Sequence, residues 1–243
     1  MLRKLLMTSA LVCLAGGSAL AADLPNQKAP PVYMPPPPAF SWSGLYIGGQ
    51  VGYQWGTLTP NLVTPGGPAA LPSSNNSGVV GGAHIGYNYQ VSQLVFGLEG
   101  DVDGTGYNGG NATGALAYTT NEYVEASIRG RVGFAWDRVL FYGTGGAAFG
   151  DFNNTYTGPG GVDSVWDTRV GWTAGGGIEY AVTDNWSLRA EYRYTDFGYF
   201  NDPLTASIPG DSVSRHETDN RVQVGFSYKF DMFAPPAPVV AKY

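Results

Sequence analysis

The chain has 243 residues, of which 14% are aromatic and 13% charged, with 36 glycines and a formal charge of −6. Glycine opposes helix and aromatic residues favour sheet, so this composition argues against a helical protein and against a disordered one. Its acidity argues against nucleic-acid binding, which needs a basic surface.

Residues 1–21 read as a signal peptide. Arg3 and Lys4 precede an apolar stretch from Leu5 to about Ala15, and Ala19-Leu20-Ala21 makes a small-x-small cleavage site. A retained anchor is the alternative, but the stretch falls short of the roughly 18 residues a spanning helix needs. Cleavage removes two cations, taking the formal charge from −6 to −8, and it removes the only cysteine, Cys13. Disulfides, thiolate metal sites and cysteine catalysis are then not expected. Residues 22–41 are so dense in proline that they read as an extended linker, with partner recognition through the proline run as the alternative.

From there, large apolar residues recur at every second position. The first strand sets Leu45, Ile47, Val51 and Tyr53 against Tyr46 and Gln50. The second sets Val79, Ala83, Ile85, Tyr87 and Tyr89 against His84 and Asn88. In the third, Leu94, Phe96, Leu98 and Val102 oppose Glu99, Asp101 and Asp103. The fourth opposes Val124, Ile128, Val132, Phe134 and Trp136 to Glu125, Arg129 and Arg131. The fifth, "VLFYGTGGAAFG", is apolar and glycine-rich on both parities and has no phase. The sixth sets Val170, Trp172, Ile178 and Tyr180 against Arg169 and Glu179. The seventh, "WSLRAEYRYTDFG", puts Trp186, Leu188, Tyr192 and Tyr194 opposite Arg189, Glu191 and Arg193. The eighth puts Val222, Val224, Phe226, Tyr228 and Phe230 opposite Arg221, Gln223 and Lys229.

Strands of about ten residues match a tilted bilayer crossing. Polar segments near residues 55–77, 104–121, 151–167 and 198–218 alternate with short turns at "QVSQ", "DR" and "VTDN". Long alternating with short is the pattern of surface loops and periplasmic turns in outer-membrane barrels, and an even strand count leaves both termini periplasmic. The expected fold is therefore all-β, an eight-stranded antiparallel transmembrane β-barrel over residues 42–230, with a proline-rich tail at 231–243.

In a membrane barrel the charged faces point inward. Glu99, Asp101, Asp103, Glu125, Arg129, Arg131, Arg169, Glu179, Arg189, Glu191, Arg193, Arg221 and Lys229 are thus expected to form a lumen ion-pair network. Eight strands leave room for little more than side chains, so the network would plug the barrel. Tyr53, Tyr87, Trp136, Trp172, Trp186, Tyr192, Tyr194 and Phe230 are expected to face lipid, with most of them near its interfaces. From Asp151 to Asp219 the surface loops and their edges carry Asp151, Asp163, Asp167, Asp196, Asp202, Asp211, Glu217 and Asp219 against Arg215, and read as solvated acidic loops. His84 reads as a structural lumen residue. His216, in the last loop, is the weak candidate for hemin or metal. No spacing marks a dedicated metal site, a cofactor or an enzyme.

The stretches "FSWSGLYIGGQVGY", "RGRVGFAWDRVLFYGTGGAAFG", "WSLRAEYRYTDFG" and "NRVQVGFSYKF" resemble the outer-membrane immunogenic proteins of alphaproteobacteria, small barrels similar in fold to the OmpA transmembrane domain. The resemblance covers Phe40 to Phe230. It implies a surface protein supporting envelope integrity, with porin-like and hemin-binding members, and no catalytic residues to carry over. One departure is the tail, because such barrels usually end on an aromatic residue that signals the outer-membrane assembly machinery; here Phe230 or Tyr243 would serve. The expected partners are outer-membrane lipid, lipopolysaccharide and that machinery, with peptidoglycan or host-surface contacts possible and nucleic acid excluded. The leading expectation is a structural surface protein; a small-solute channel and a hemin or host-surface binder using the loops are the alternatives.

Overall fold

The computed structural model describes residues 40–114 and 116–230; the signal-peptide, linker (but for its last two residues) and tail assignments lie outside the described residues. Ten strands follow one another: β1 (Gly44–Thr64), β2 (Gly67–Ala70), β3 (Ser74–Val91), β4 (Leu94–Thr105), β5 (Asn108–Thr113), β6 (Leu116–Trp136), β7 (Val139–Gly158), β8 (Gly161–Ala181), β9 (Trp186–Pro203) and β10 (Ser212–Lys229). Eight of them close a ring in the order β1-β10-β9-β8-β7-β6-β4-β3, and β3 pairs back onto β1. Every pairing is antiparallel; that between the first and last strands, β1 and β10, runs from Tyr46 opposite Lys229 to Val63 opposite Ser212. A closed ring has no free edge, so each strand's amides and carbonyls find partners on both sides. The short strands β2 and β5 extend pairing in the connections.

The period-2 pattern sorts side chains by wall. Along β9, Trp186, Leu188, Ala190 and Tyr192 are exposed outside, while Ser187, Arg189, Glu191 and Arg193 are buried inside. The strand without a sequence phase, β7, turns Leu140, Tyr142, Thr144 and Ala148 inward and Phe141 and Phe149 outward. Its glycines hide that phase for a steric reason. At Gly146 a Cβ would come within 2.0 Å of the Ile128 carbonyl oxygen on β6, so the position tolerates no side chain that could report its face.

The strands are longer than the expected ten residues: β4 has 12, and β1, β6 and β8 have 21 each. Much of what reads as loop is strand. The segment 151–167 is a hairpin turning at Pro159-Gly160, and most of 55–77 and 198–218 continues β1, β3, β9 and β10. Alternation persists there, but in small polar residues such as Asn153, Asn154 and Thr155, which lack the hydropathy contrast that marks a strand in a sequence. At the other end the connections are short; Ser92 and Asp137 open two-residue turns with φ of 57° and 52°.

Of the eight acids expected in solvated loops, Asp163, Asp202, Glu217 and Asp219 are buried instead, while Asp151, Asp167, Asp196 and Asp211 stay partly exposed. Asp202, Glu217 and Asp219 point into the barrel and are at most 2% exposed. Asp163 is buried as well, against the loop that joins β9 to β10. Its carboxylate accepts from the amides of Thr205 (3.2 Å), Ala206 (3.1 Å) and Ser207 (2.8 Å) and from the hydroxyls of Thr205 (2.8 Å) and Ser207 (2.7 Å). That loop sends Leu204 and Ile208 into an apolar cluster with Leu58, Leu116, Tyr118, Tyr156 and Val213. One carboxylate thus ties the loop over the end of the barrel.

The amide and hydroxyl of Ser207, with the Thr205 hydroxyl and the Ala206 amide, hold the Asp163 carboxyl well below the usual carboxylate range. A lowered folded-state value means that the tether is present above the unfolded carboxylate value near about 3.9 and is lost as pH falls through the folded value. Proteinase K should therefore cut within Leu204–Asp211 faster in Asp163→Ala than in the parent at pH 7, whereas pepsin in strong acid should cut the two at more nearly equal rates. Equal cleavage at pH 7 would show that Asp163 does not hold the loop.

Candidate functional site: the charged barrel interior

Arg129, fully buried on β6, is the centre of the interior. Its Nη2 donates to Glu99 at 2.6 Å and Asp101 at 3.0 Å, and its Nη1 to Glu191 at 2.8 Å and the Thr144 hydroxyl at 3.1 Å. Arg193 bonds the same two acids, Asp101 and Glu191, each at 3.1 Å. Arg189 donates to Glu99 at 2.7 Å. Three guanidiniums therefore share three carboxylates supplied by β4 and β9. Removing charges from water costs several kcal/mol per ion, so such a cluster is tolerable only when most oxygens and N–H groups find partners. Neutral donors add to it: Tyr46 donates to Glu99 at 2.8 Å, Tyr142 to Glu191 at 2.9 Å and Ser127 to Asp101 at 2.5 Å, while the Nε of Arg129 and of Arg189 has no partner.

Two smaller groups flank this layer. Toward the short turns, Arg131 bonds Glu179 and lies 3.7 Å from the centroid of the Tyr142 ring, while Ser187 donates to Glu179 at 2.5 Å. Toward the long connections, Arg221 bonds Glu125, Asp103 at 2.8 Å and Gln54 at 2.7 Å, and Gln50 donates to Asp103 at 2.7 Å. The interior thus brings together Glu99, Asp101, Asp103, Glu125, Arg129, Arg131, Glu179, Arg189, Glu191, Arg193 and Arg221. An apolar cluster of Trp42, Val95, Leu140, Tyr142 and Ala181, with Phe40 against it, lies at the short-turn end. The cluster under the β9–β10 loop lies at the other.

Two expected members stand elsewhere. Arg169 belongs to a separate group near the long connections, where it pairs with Asp167 (2.5 Å) and Asp202 (3.3 Å) and stacks on Phe200. It sits high on β8, beyond the reach of the central acids. Lys229 is the last residue of β10, and its ammonium extends to the Ser41 carbonyl and the face of Phe40 at the barrel mouth. A long stem at a strand end lets the charge leave the interior.

The sequence pattern omits other interior residues. Glu122 points inward beside Glu125 because a bulge sets both Tyr123 and Val124 outside, a break in alternation that no local residue type announces. Arg215 pairs with Asp202 at 3.0 Å, and Tyr156 donates to Asp202 at 2.6 Å, in strand extensions that read as loop.

Both imidazoles are engaged. His84 is buried, with Nδ1 2.5 Å from Gln50 Oε1 and Nε2 2.9 Å from the Ser227 hydroxyl. His216 lies on strand β10 rather than in a loop, on the outer wall; its Nε2 is 3.0 Å from Asp196 and its ring stacks on Tyr199 at 4.3 Å. Among the described residues, no three acidic, imidazole or thiol groups are grouped to hold a metal ion.

The outer wall is apolar. Tyr53, Tyr87, Trp136, Trp172, Trp186 and Tyr192 are exposed on it. Tyr194 is half-buried against Trp172, and Phe230 is half-buried edge-on to Tyr228. Tyr87, Trp136, Trp186 and Phe230 lie near the short turns, and Tyr53, Trp172, Tyr192 and Tyr194 nearer the long connections.

Comparison with known proteins agrees with an outer-membrane barrel. Residues 9–230 match the outer membrane protein beta-barrel domain family. The chain is 35% identical over 233 residues to the 25 kDa outer-membrane immunogenic protein of Brucella abortus, covering 94% of this chain and 99% of that one. It is 31% identical over 249 residues to the 31 kDa outer-membrane immunogenic protein of Brucella melitensis, covering 93% and 100%. With the 22 kDa outer membrane protein of Rhizobium leguminosarum it shares 34% identity over 200 residues, 81% and 82% of the two chains. A closed antiparallel ring with charge inside, an apolar wall outside and this likeness over nearly its whole length make the chain a member of the outer membrane protein β-barrel family.

Proposed function

We propose that the chain is a non-enzymatic structural protein of the outer-membrane surface, with its lumen closed by the ion-pair network. The observation that carries this reading is the position of Arg129, Arg189 and Arg193 with Glu99, Asp101 and Glu191 between two apolar clusters. In an eight-stranded barrel little space is left once such side chains meet across it. The short turns are assigned to the periplasm and the long connections to the cell exterior, in line with the loop asymmetry of outer-membrane barrels. The relatives' description as immunogenic supports surface exposure. The apolar wall and its aromatic bands meet membrane lipid and lipopolysaccharide, and Phe230 presents the terminal aromatic to the assembly machinery. Contacts with peptidoglycan or a host surface would fall to the two ends of the chain's barrel.

The non-enzymatic reading is supported by the relatives, which are named as outer-membrane immunogenic proteins and not as enzymes. His84 is held by Gln50 and Ser227, and the Nε2 of His216 is taken up by Asp196. Hemin binding at the exposed Tyr199–His216 stack is the second reading; saturable hemin binding lost in His216→Ala would favour it.

Planar-bilayer recordings should show no steady conductance from the parent barrel and measurable conductance from Arg129→Ala/Arg193→Ala. Steady conductance from the parent would overturn the closed-lumen reading. Arg129→Met should lower unfolding stability in lipid vesicles by about 3–5 kcal/mol, since it removes one of the three guanidiniums that Glu99, Asp101 and Glu191 share and leaves a buried net negative charge. A loss below about 1 kcal/mol, the range of a surface ion pair, would contradict the central place given to Arg129.

A further inference from the structure

The interior charges are not balanced along the barrel. Beyond Arg221, toward the long connections, stand Glu122, Glu217 and Asp219, each at most 2% exposed. Both carboxylate oxygens of Glu217, both of Asp219 and Oε1 of Glu122 have no hydrogen-bond partner. The charges of Glu217 and Asp219 both act on Glu122, so the three groups are close enough to repel one another. Of the adjacent guanidiniums, Arg221 is committed to Asp103 and Glu125 and Arg215 pairs with Asp202, while the charges of Arg215 and Arg169 also act on Glu217 and offset part of the excess.

A neutral group points into the same space. The Tyr107 hydroxyl is buried in a residue 1% exposed and lacks a partner of hydrogen-bonding geometry. It stands with Asp219 Oδ1 over Gly56, where an added Cβ would come within 2.4 Å of the hydroxyl and 2.2 Å of the carboxylate. Gly56 therefore opens the wall for both groups, and the bulge at Tyr123-Val124 turns Glu122 toward them.

We propose that Glu122, Glu217, Asp219 and Tyr107 form a binding chamber for one hydrated divalent cation, of the Mg²⁺ type, in the outer half of the lumen. Uncompensated buried carboxylates are costly, and a single divalent charge offsets most of this excess. The acids are not grouped tightly enough to chelate a bare ion. That favours Mg²⁺, which dehydrates reluctantly and is commonly held by one or two carboxylates with its remaining waters in place. Those waters supply donors to the carboxylate oxygens and to the tyrosine hydroxyl. The chamber would fasten β6, β10 and the link between β4 and β5 together, between the level of Arg221 and that of the Arg215–Asp202 pair.

Mn²⁺, a paramagnetic stand-in for Mg²⁺, provides the test on the folded barrel purified in detergent without lipopolysaccharide. Electron paramagnetic resonance should show saturable uptake of one Mn²⁺ per barrel at neutral pH, displaced by Mg²⁺. Glu217→Gln/Asp219→Asn should abolish this uptake, while Asp167→Asn/Asp211→Asn, which alters acids outside the chamber, should leave it intact. If the first variant does not fold, Tyr107→Phe should weaken uptake severalfold in a barrel that keeps all its carboxylates. Absence of saturable uptake by the parent would overturn the proposal. So would uptake unchanged by both chamber variants, or uptake lost equally in the Asp167/Asp211 variant.

Discussion

The contact between Arg129 and its three acids, Glu99, Asp101 and Glu191, is the interaction on which the rest of the barrel depends. Arg129 stands on β6 and its acids on β4 and β9, so a single guanidinium joins opposite parts of the ring. A guanidinium suits this position because its planar fork donates in several directions at once and stays charged. Arg189 and Arg193 then share the same acids, and Tyr46 and Tyr142 reach in from neighbouring strands. The result is a dense polar core in which each group is held by partners from elsewhere in the chain.

Such a core is the inverse of a water-soluble domain, and the surroundings account for it. Hydrocarbon offers nothing to an unpaired amide, so the sheet must close. Once it is closed, side chains on the outer wall gain from being apolar, and polar residues have only the interior left. An arginine or lysine on the outer wall at mid-bilayer would cost roughly 2–4 kcal/mol. The same alternation that makes β9 a strand therefore also separates Trp186, Leu188 and Tyr192 from Arg189, Glu191 and Arg193.

That logic made most of the barrel legible in the sequence, because within the bilayer every second residue must be apolar. Legibility ended where this requirement ended. Beyond the aromatic band the strands continue in threonine, asparagine and serine, whose faces look alike by hydropathy, and Asp163, Asp202, Glu217 and Asp219 read there as solvated acids. Inside the spanning region two features were hidden for other reasons. On β7 close approach of the backbone at Gly146 excludes side chains, and on β6 one extra residue shifts the parity so that Glu122 joins Glu125 inside. The network members Arg169 and Lys229 show a third limit. Parity gives the wall a residue faces but not its height along the barrel, and height decided which acids each could reach.

Accessibility along β9 tests the inside-out arrangement most directly. The only cysteine of the chain is Cys13, so single cysteines at positions 186–193 can each carry a nitroxide without a competing thiol among the described residues. In lipid vesicles, oxygen, which concentrates in the hydrocarbon, should collide often with labels at 188, 190 and 192 and rarely with labels at 187, 189, 191 and 193. A reversed alternation, or none, would contradict a barrel that keeps its charges inside.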